Sequence, residues 1–218
     1  MSPAPQQCAW KKRVAILISG RGSNMAALIE AAKARDYPAE IALVISNRPD
    51  AAGLDHARSG GIPTAVIDHT QFGGDRESFE QALDRELLEH RIDLVCLAGF
   101  MRLLTPWFVN RWSGRILNIH PSLLPQFKGL DTHRRALAAG VKRHGATVHF
   151  VVAEMDAGTI VLRESVAVEV DDTEETLAAR VLELEHQIYP RALRAVALEH
   201  DPEKWSPILR KDHAPRKA

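Results

Sequence analysis

The alternation of short apolar runs with helical patterns is the feature that most constrains how this chain can fold. The run from Val14 to Ile18 contains β-branched residues and is bounded by Ser19-Gly20, which is typical of a buried parallel strand. Helical spacing follows from Asn24 to about Ala34, and strand and helix patterns alternate through the first 120 residues. Because helices that connect parallel strands make right-handed crossovers, the sequence predicts an α/β fold with a doubly wound, mostly parallel sheet and helices on both faces.

The other elements predicted in this part follow the same rules. The remaining strands are predicted at 41–45, 63–67, 93–98 and 115–119, and the remaining helices at 51–59, 75–90 and 106–111.

The pattern changes after His120. Residues 121–145 are rich in Pro, Gly and basic residues and predict a long ordered loop with at most a short helix near 134–139. Strands at 146–152 and 159–168, separated by a turn, predict an antiparallel extension. A last helix is predicted from Asp172 to about His186, with Asp172 and Glu175 as a capping pair and with Pro190 expected to kink or break it.

The length of 218 residues suits one sizeable domain. We therefore predict a single domain over residues 1–218, with halves at 14–120 and 121–200 and loose tails at 1–11 and 206–218.

Charge and cysteine content exclude several classes. The chain has 28 basic and 28 acidic residues, and a balanced charge argues against a general nucleic-acid or membrane-surface binder. Cys8 and Cys96 are far apart, which argues against a disulfide scaffold or a cysteine zinc site. No apolar stretch of membrane-spanning length and no secretory signal are visible, so we expect a cytoplasmic enzyme.

The segment Ser19-Gly-Arg-Gly-Ser-Asn24 lies between the first strand and the first helix. Backbone N–H groups at a glycine-rich turn and a helix N-terminus form an anion site. The segment lacks the third glycine of a dinucleotide loop and the lysine of a P-loop. It therefore suits a single phosphate held by backbone N–H groups, Ser23 and Asn24, although a tight turn that needs glycine only for its geometry remains the alternative.

Asn118 and His120 come at the end of a predicted strand, two residues apart and so on the same face. Ligands of open α/β sheets bind outside the carboxyl ends of the strands. An amide beside an imidazole there could hold a developing oxyanion and handle a proton. The alternative is that both side chains only satisfy local backbone, but the pair in this position favours catalysis.

Other candidates depend on partners that the sequence does not supply. Asp156 has the surroundings of an ordinary turn residue, yet a carboxylate beside His120 would favour the protonated imidazole. The run from Gly99 to Leu104 could line a pocket for a flat ring, or could be ordinary core with a solvated Arg102. Most of the ten histidines are expected at the surface, without metal-ligand spacing.

Taken together, these motifs resemble the phosphoribosylglycinamide formyltransferases, from about Val14 to about Pro190. The segments that carry the resemblance are 18–24, 98–104, 118–125, 129–133, 144–149, 155–158 and 185–190. Asn118-Ile-His-Pro-Ser-Leu-Leu-Pro125 is highly specific for folate-dependent formyl transfer and related hydrolases, but by itself it does not choose the acceptor.

The resemblance implies a reaction and a set of roles. The formyl group of 10-formyltetrahydrofolate, as co-substrate, would pass to the amine of glycinamide ribonucleotide in purine biosynthesis without a metal. Asn118 and His120 would flank the formyl carbon, with Asp156 orienting His120. Residues 14–120 would form the nucleotide-binding half and 121–200 the folate side. The substrate nucleotide and its phosphate would be held by Gly22, Ser23, Asn24 and Glu185. The folate would contact Arg76, Met101, Arg102, Leu103, Leu104, Asn118, Val152, Ala153, Glu154, Met155 and Asp156.

Three alternatives remain open. A methionyl-tRNA formyltransferase would need a nucleic-acid-binding domain and a basic surface, and a formyltetrahydrofolate hydrolase would use water as the acceptor. A non-catalytic nucleotide-binding module would not need Asn118, His120 or Asp156. We expect small-molecule substrates, no nucleic acid, no membrane, and a monomer or homodimer.

Overall fold

The computed structural model describes residues 11–199 of the chain. Cys8 and the loose tails predicted at 1–11 and 206–218 lie outside these residues, apart from Lys11.

The described chain contains seven strands and six α-helices, numbered here in chain order. The strands are β1 Lys12–Ile18, β2 Ala39–Ser46, β3 Thr64–Val66, β4 Leu94–Leu97, β5 Ile116–His120, β6 Arg143–Phe150 and β7 Ile160–Ala167. The α-helices are α1 Ser23–Ala32, α2 Gly53–Ser59, α3 Arg76–Glu89, α4 Pro106–Arg111, α5 Thr132–Ala138 and α6 Glu174–Glu199. A short 3₁₀ helix, His69–Phe72, precedes α3.

The seven strands form one sheet in the order β3-β2-β1-β4-β5-β6-β7. The first five are parallel to their neighbours, whereas β6 pairs antiparallel with β5 and β7 antiparallel with β6. The predicted fold class is therefore confirmed, including the antiparallel extension. The predicted loop at 121–145 is shorter than expected because β6 begins at Arg143 rather than at 146.

The core lies on both faces of the sheet because the side chains of buried strands alternate between the two faces. Val14, Ile16 and Ile18 of β1 pack in the cluster that α1, α2 and α6 cover. Ala15 and Leu17 pack in the cluster that α3 and α4 cover. The continuous apolar run of β1 is thus explained by burial on both faces.

Of the predicted kink or break at Pro190, the break is wrong, because α6 continues past the predicted end at His186 and through Pro190 to Glu199. A proline inside a helix costs about 3 kcal/mol. Buried side chains beyond it offset this cost, since burying one Leu or Val contributes about 1.5–3 kcal/mol. The buried residues that follow Pro190 are Ala192, Leu193, Val196 and Ala197.

The predicted capping pair is also wrong. Thr173 and Thr176 form the reciprocal bonds at the start of α6, with each backbone N–H donating to the other hydroxyl at 3.0 and 3.3 Å. Asp172 instead accepts two bonds from the Arg180 guanidinium, each of 2.8 Å. Arg180 also donates to the carbonyl of Ala167. The Asp172–Arg180 pair therefore connects the end of β7 to α6.

The strand order places a switch point at β1 and β4. The chain runs from β1 outward to β2 and β3, and then returns to β4 on the other side of β1. The loops after β1 and β4 therefore diverge and leave a crevice at the carboxyl ends of the strands. Within residues 11–199, no helix has both the length and the apolar character to cross a membrane.

Candidate active site

The crevice after β1 and β4 is a cleft of about 390 Å³. Its walls come from the segments that follow β1, β2, β3 and β4, at the carboxyl ends of parallel strands. The lining residues are Ser19, Gly20, Arg21, Gly22, Ser23, Asn24, Asn47, Arg48, His69, Ala98, Gly99, Met101 and Arg102.

The glycine-rich segment turns directly into α1. Gly22 has a φ of 73°, in the left-handed region that favours glycine. A Cβ at Gly22 would also lie 3.2 Å from the Cα of Gly53, so backbone packing restricts the position as well. No side chain caps the N-terminus of α1, which leaves its N–H groups toward the cleft wall formed by Gly22 and Ser23. The predicted phosphate residues are thus at a helix N-terminus with free donors.

Two polar residues of this cleft, Asn47 and His69, were missed from the sequence, whereas Ser19 begins the predicted glycine-rich segment. The Ser19 hydroxyl donates to Asn47 Oδ1 at 2.5 Å and accepts from the Met101 N–H at 2.8 Å. The Asn47 amide nitrogen lies 3.1 Å from Nδ1 of His69. These bonds link the loops after β1, β2 and β4. A polar residue directly after each of two apolar strands was the available signal.

The structure joins Asn24 to Glu185, two residues predicted to bind the nucleotide. The Asn24 amide donates to Glu185 Oε2 at 2.6 Å, and both side chains are buried. Burial raises the pKa of Glu185, and the bond from Asn24 opposes part of that rise. Asn24 Oδ1 is buried with no hydrogen-bond partner among the described residues. Asn24 therefore orients Glu185 through its amide.

Asn118 and His120 are both on β5, as predicted, and Asp156 reaches them from the loop between β6 and β7. Asp156 Oδ2 lies 3.5 Å from Nδ1 of His120, and the two side chains are 10% and 8% exposed. Asp156 has a φ of 51°, an uncommon value for a non-glycine residue. The backbone strain at Asp156 is therefore located at the residue whose carboxylate faces the imidazole.

His149 is the fourth member of this group and was missed from the sequence. The register of β5 and β6 places it opposite Asn118, with Nε2 3.2 Å from Asn118 Nδ2. The same nitrogen lies 3.7 Å from Asp156 Oδ1. Burial is the largest cause that lowers the pKa of His149. A neutral His149 accepts from Asn118 at Nε2 while Nδ1–H donates to the Phe150 carbonyl at 2.9 Å.

The loop before α5 also forms hydrogen bonds with His120 and Asp156. His120 Nε2–H donates to the Phe127 carbonyl at 3.0 Å. The Gly129 N–H donates to Asp156 Oδ2 at 2.9 Å. Both catalytic candidates are thus fixed by backbone atoms of residues 127–130, which we call the clamp loop.

The candidate folate residues form an apolar rim beside the cleft. Met101 and Leu103 are 73% and 66% exposed, which is unusual for large apolar side chains that follow a buried strand. Arg76 donates to the Leu103 carbonyl, and the Arg102 guanidinium lies 5.8 Å from the ring centroid of Phe79. Leu104 is half-buried. The two arginines therefore hold the segment after β4 while its apolar side chains face outward.

The other candidate folate segment leads from β6 to Asp156. Ala153, Glu154 and Met155 are exposed and Val152 is half-buried. Glu154 pairs with Lys128 of the clamp loop at 3.1 Å. This ion pair connects the segment to the group around His120.

Histidine burial differs from the expectation that most histidines lie at the surface. His120, His144 and His149 are buried, and of the histidines in residues 11–199 only His56 is exposed. The sequence misled here because the partners of the buried imidazoles come from distant segments of the chain, as when His144 of β6 contacts His133 of α5 at 5.2 Å between ring centroids. No cluster of three metal-ligating side chains occurs in the described part of the chain.

Comparison with known proteins identifies the family. Residues 12–193 match the family described as formyl transferase. A phosphoribosylglycinamide formyltransferase from Haemophilus influenzae is 46% identical over 183 residues, which is 84% of this chain and 86% of that protein. A trifunctional purine biosynthetic protein adenosine-3 from Gallus gallus is 54% identical over 187 residues, which is 86% of this chain but 18% of that much longer protein.

A solved structure is similar over nearly the same range. The crystal structure of phosphoribosylglycinamide formyltransferase from Brucella melitensis has a TM-score of 0.83 and 51% identity, covering 86% of this chain and 96% of that one. The matched range contains the glycine-rich segment, Asn118, His120, His149 and Asp156. The chain belongs to the formyl transferase family.

Proposed function

We propose that this chain transfers the formyl group of 10-formyltetrahydrofolate to the amine of N1-(5-phospho-D-ribosyl)glycinamide, in purine biosynthesis. The products are the N-formylglycinamide ribonucleotide and tetrahydrofolate. The observation that carries the proposal is the grouping of Asn118, His120 and Asp156 at the end of β5, beside a cleft with a phosphate-type helix N-terminus. The relatives named phosphoribosylglycinamide formyltransferase support the choice of acceptor.

The nucleotide is assigned to the cleft after β1. Its phosphate suits the backbone N–H groups of Gly22 and Ser23 and the Ser23 hydroxyl, because helix N-termini favour anions. Asn24 takes part through Glu185, which it orients. Glu185 then accepts hydrogen bonds from the ribose hydroxyl or amine end of the nucleotide.

The folate is assigned to the rim and the segment before Asp156. A flat ring suits exposed apolar side chains such as Met101, Leu103 and Met155, which are 73%, 66% and 52% exposed. Arg76, Arg102, Leu104 and the Val152–Asp156 segment complete this assignment. The exposure of these three apolar side chains is consistent with ligand contact.

The chemistry needs an oxyanion site and a proton carrier. The amine nitrogen attacks the formyl carbon, and the carbonyl electron pair moves to oxygen. The Asn118 amide donates to that oxyanion, and the positive charge of protonated His120 stabilises it through space. The carbon–nitrogen bond to folate N10 then breaks, N10 takes a proton, and the acceptor nitrogen loses one. Because Nε2 of His120 is engaged with Phe127, we assign the moving proton to Nδ1, which faces Asp156.

Formyl transfer by the purified full chain tests the proposal. Folate absorbance is followed with 10-formyltetrahydrofolate in the presence of glycinamide ribonucleotide and without an acceptor. Turnover only with the nucleotide supports the proposal. Turnover without it assigns water as the acceptor, and no turnover by the folded chain contradicts formyl transfer. His120→Ala is the matched inactive control.

Several sequence expectations stay predictions. They are the single-domain organisation with halves at 14–120 and 121–200, the independence from metal, the cytoplasmic location, the monomer or homodimer, and the absence of nucleic-acid and membrane partners.

A further inference from the structure

We propose that Arg135 is a positioning residue for the catalytic group, acting through the clamp loop. The inference rests on the proposed function, because it assigns Arg135 to the same reaction. Arg135 does not touch the proposed reacting atoms. Its guanidinium holds the loop whose backbone fixes both His120 and Asp156.

The clamp loop presents alternate residues to opposite sides. The Phe127 carbonyl and the Gly129 N–H bond to His120 and Asp156, at 3.0 and 2.9 Å. The carbonyls of Lys128 and Leu130, the residues on either side of Gly129, accept from Nη1 of Arg135 at 2.6 and 3.1 Å. One guanidinium nitrogen therefore holds the loop from behind at the residues that flank Gly129.

The loop needs such support because its backbone is strained. Phe127 has a φ of 54°, in the left-handed region that non-glycine residues rarely adopt. A non-glycine residue in that region is energetically unfavourable and persists only where its surroundings hold it. The conformation that aims the Phe127 carbonyl at His120 is thus not the one the free backbone would choose.

Arg135 also contacts the side chain of Phe127. Its Cζ lies 5.6 Å from the ring centroid, in a cation–π arrangement. The ring of the buried His144 also contacts Phe127, edge-on and with 5.9 Å between ring centroids. The Phe127 side chain therefore packs against both a guanidinium and an imidazole, which restrains the residue whose carbonyl bonds to His120.

The neighbouring arginine provides a matched control. Arg134 is on the same helix and carries the same charge, but its guanidinium pairs with Asp131, whereas the carbonyls of Lys128 and Leu130 are held by Arg135. A loss specific to Arg135 therefore separates positioning from a general change of charge near the site.

The test compares Arg135→Ala, Arg135→Lys and Arg134→Ala in the full chain. Small displacements of catalytic groups cost roughly 10- to 100-fold in rate. We expect Arg135→Ala to lower kcat roughly tenfold and change the pH profile of kcat, with both KM values within about twofold. Arg135→Lys recovers part of kcat because Nζ can donate to the same carbonyls. Arg134→Ala keeps the kcat of the parent chain.

A second readout does not need activity. Nitrogen-15 NMR of the imidazoles follows the His120 Nε2–H that bonds to Phe127. We expect faster exchange of this proton in Arg135→Ala and parent-like exchange in Arg134→Ala. If Arg135→Ala does not fold, Arg135→Gln serves in its place for both measurements.

Three results would overturn the proposal. They are a parent-like kcat in Arg135→Ala, equal losses in Arg134→Ala and Arg135→Ala, and lost activity with an unchanged His120 Nε2–H signal. If the parent chain transfers no formyl group, the proposed function fails, and the NMR comparison alone then decides the role of Arg135.

Discussion

Asn118 and His149 meet across the antiparallel pair β5–β6, with Asn118 Nδ2 3.2 Å from His149 Nε2. Because burial lowers the pKa of His149, its ring is neutral and Nε2 is an acceptor. One amide hydrogen of Asn118 is therefore bound to His149, and in the proposed reaction the second donates to the formyl oxygen. His149 orients the amide from behind while Asp156 faces His120.

Replacing His149 therefore tests orientation of the oxyanion donor. His149→Ala leaves the Asn118 amide free to rotate, and we expect kcat to fall roughly tenfold with little change in either KM. Steady-state kinetics with both substrates measure this. His149→Gln, whose amide oxygen can accept from Asn118, should recover part of the loss. A parent-like kcat in His149→Ala would show that Asn118 needs no such support.

Removing the amide itself should cost more. Loss of one oxyanion donor typically lowers the rate by roughly 10²–10³, and we expect Asn118→Ala to fall in that range. The measurement is kcat at saturating concentrations of both substrates. Asn110→Ala, an exposed amide on α4, is the matched control and should keep the parent rate. Retention of most activity in Asn118→Ala would remove Asn118 from the mechanism.

Much of this site follows from local sequence, and the rest from strand register. The apolar run of β1, the glycine turn and the spacing of Asn118 and His120 are local patterns, so strand, turn and shared face could all be predicted. His149 could not, because it is 31 residues from Asn118 and only the pairing of β5 with β6 brings them together. Arg135 was missed for a related reason, since its partners are backbone carbonyls that carry no sequence signal.

Pro190 shows where local rules fail in the fold. The rule that proline ends a helix is sound for an isolated segment, but four buried residues beyond Pro190 pack against the sheet. Tertiary burial outweighs one missing hydrogen bond, and no local pattern reports that burial.

The presence of a proline inside α6 predicts a stabilising substitution. Pro190→Ala restores an N–H that can donate to the carbonyl one turn earlier, and we expect the free energy of unfolding to rise by about 1–3 kcal/mol. The bond from the Tyr37 hydroxyl to the carbonyl of residue 190, at 2.7 Å, uses backbone and is retained. Urea unfolding measures the change. Pro106→Ala at the start of α4, where proline is tolerated, should give no comparable gain. An unchanged or lower stability in Pro190→Ala would mean that the ring itself is needed.

His144 predicts how stability depends on pH. Burial, and then the nearby His133, lower the pKa of His144 from 6.5 to about 4. Between those values the unfolded chain binds the proton and the folded chain does not, so the free energy of unfolding falls as the pH drops from 6.5 toward 4. A shift of this size corresponds to about 3 kcal/mol.

His144→Phe keeps an aromatic ring against Phe127 but cannot take up a proton. We therefore expect the variant to lose less stability than the parent chain between pH 7 and pH 4, by up to about 3 kcal/mol. Urea unfolding at a series of pH values measures how the free energy of unfolding changes with pH in the parent chain and in the variant. His56→Ala removes an exposed imidazole on α2 and should leave the parent slope unchanged. Identical slopes in the parent chain and His144→Phe would show that His144 is not the group whose protonation opposes folding.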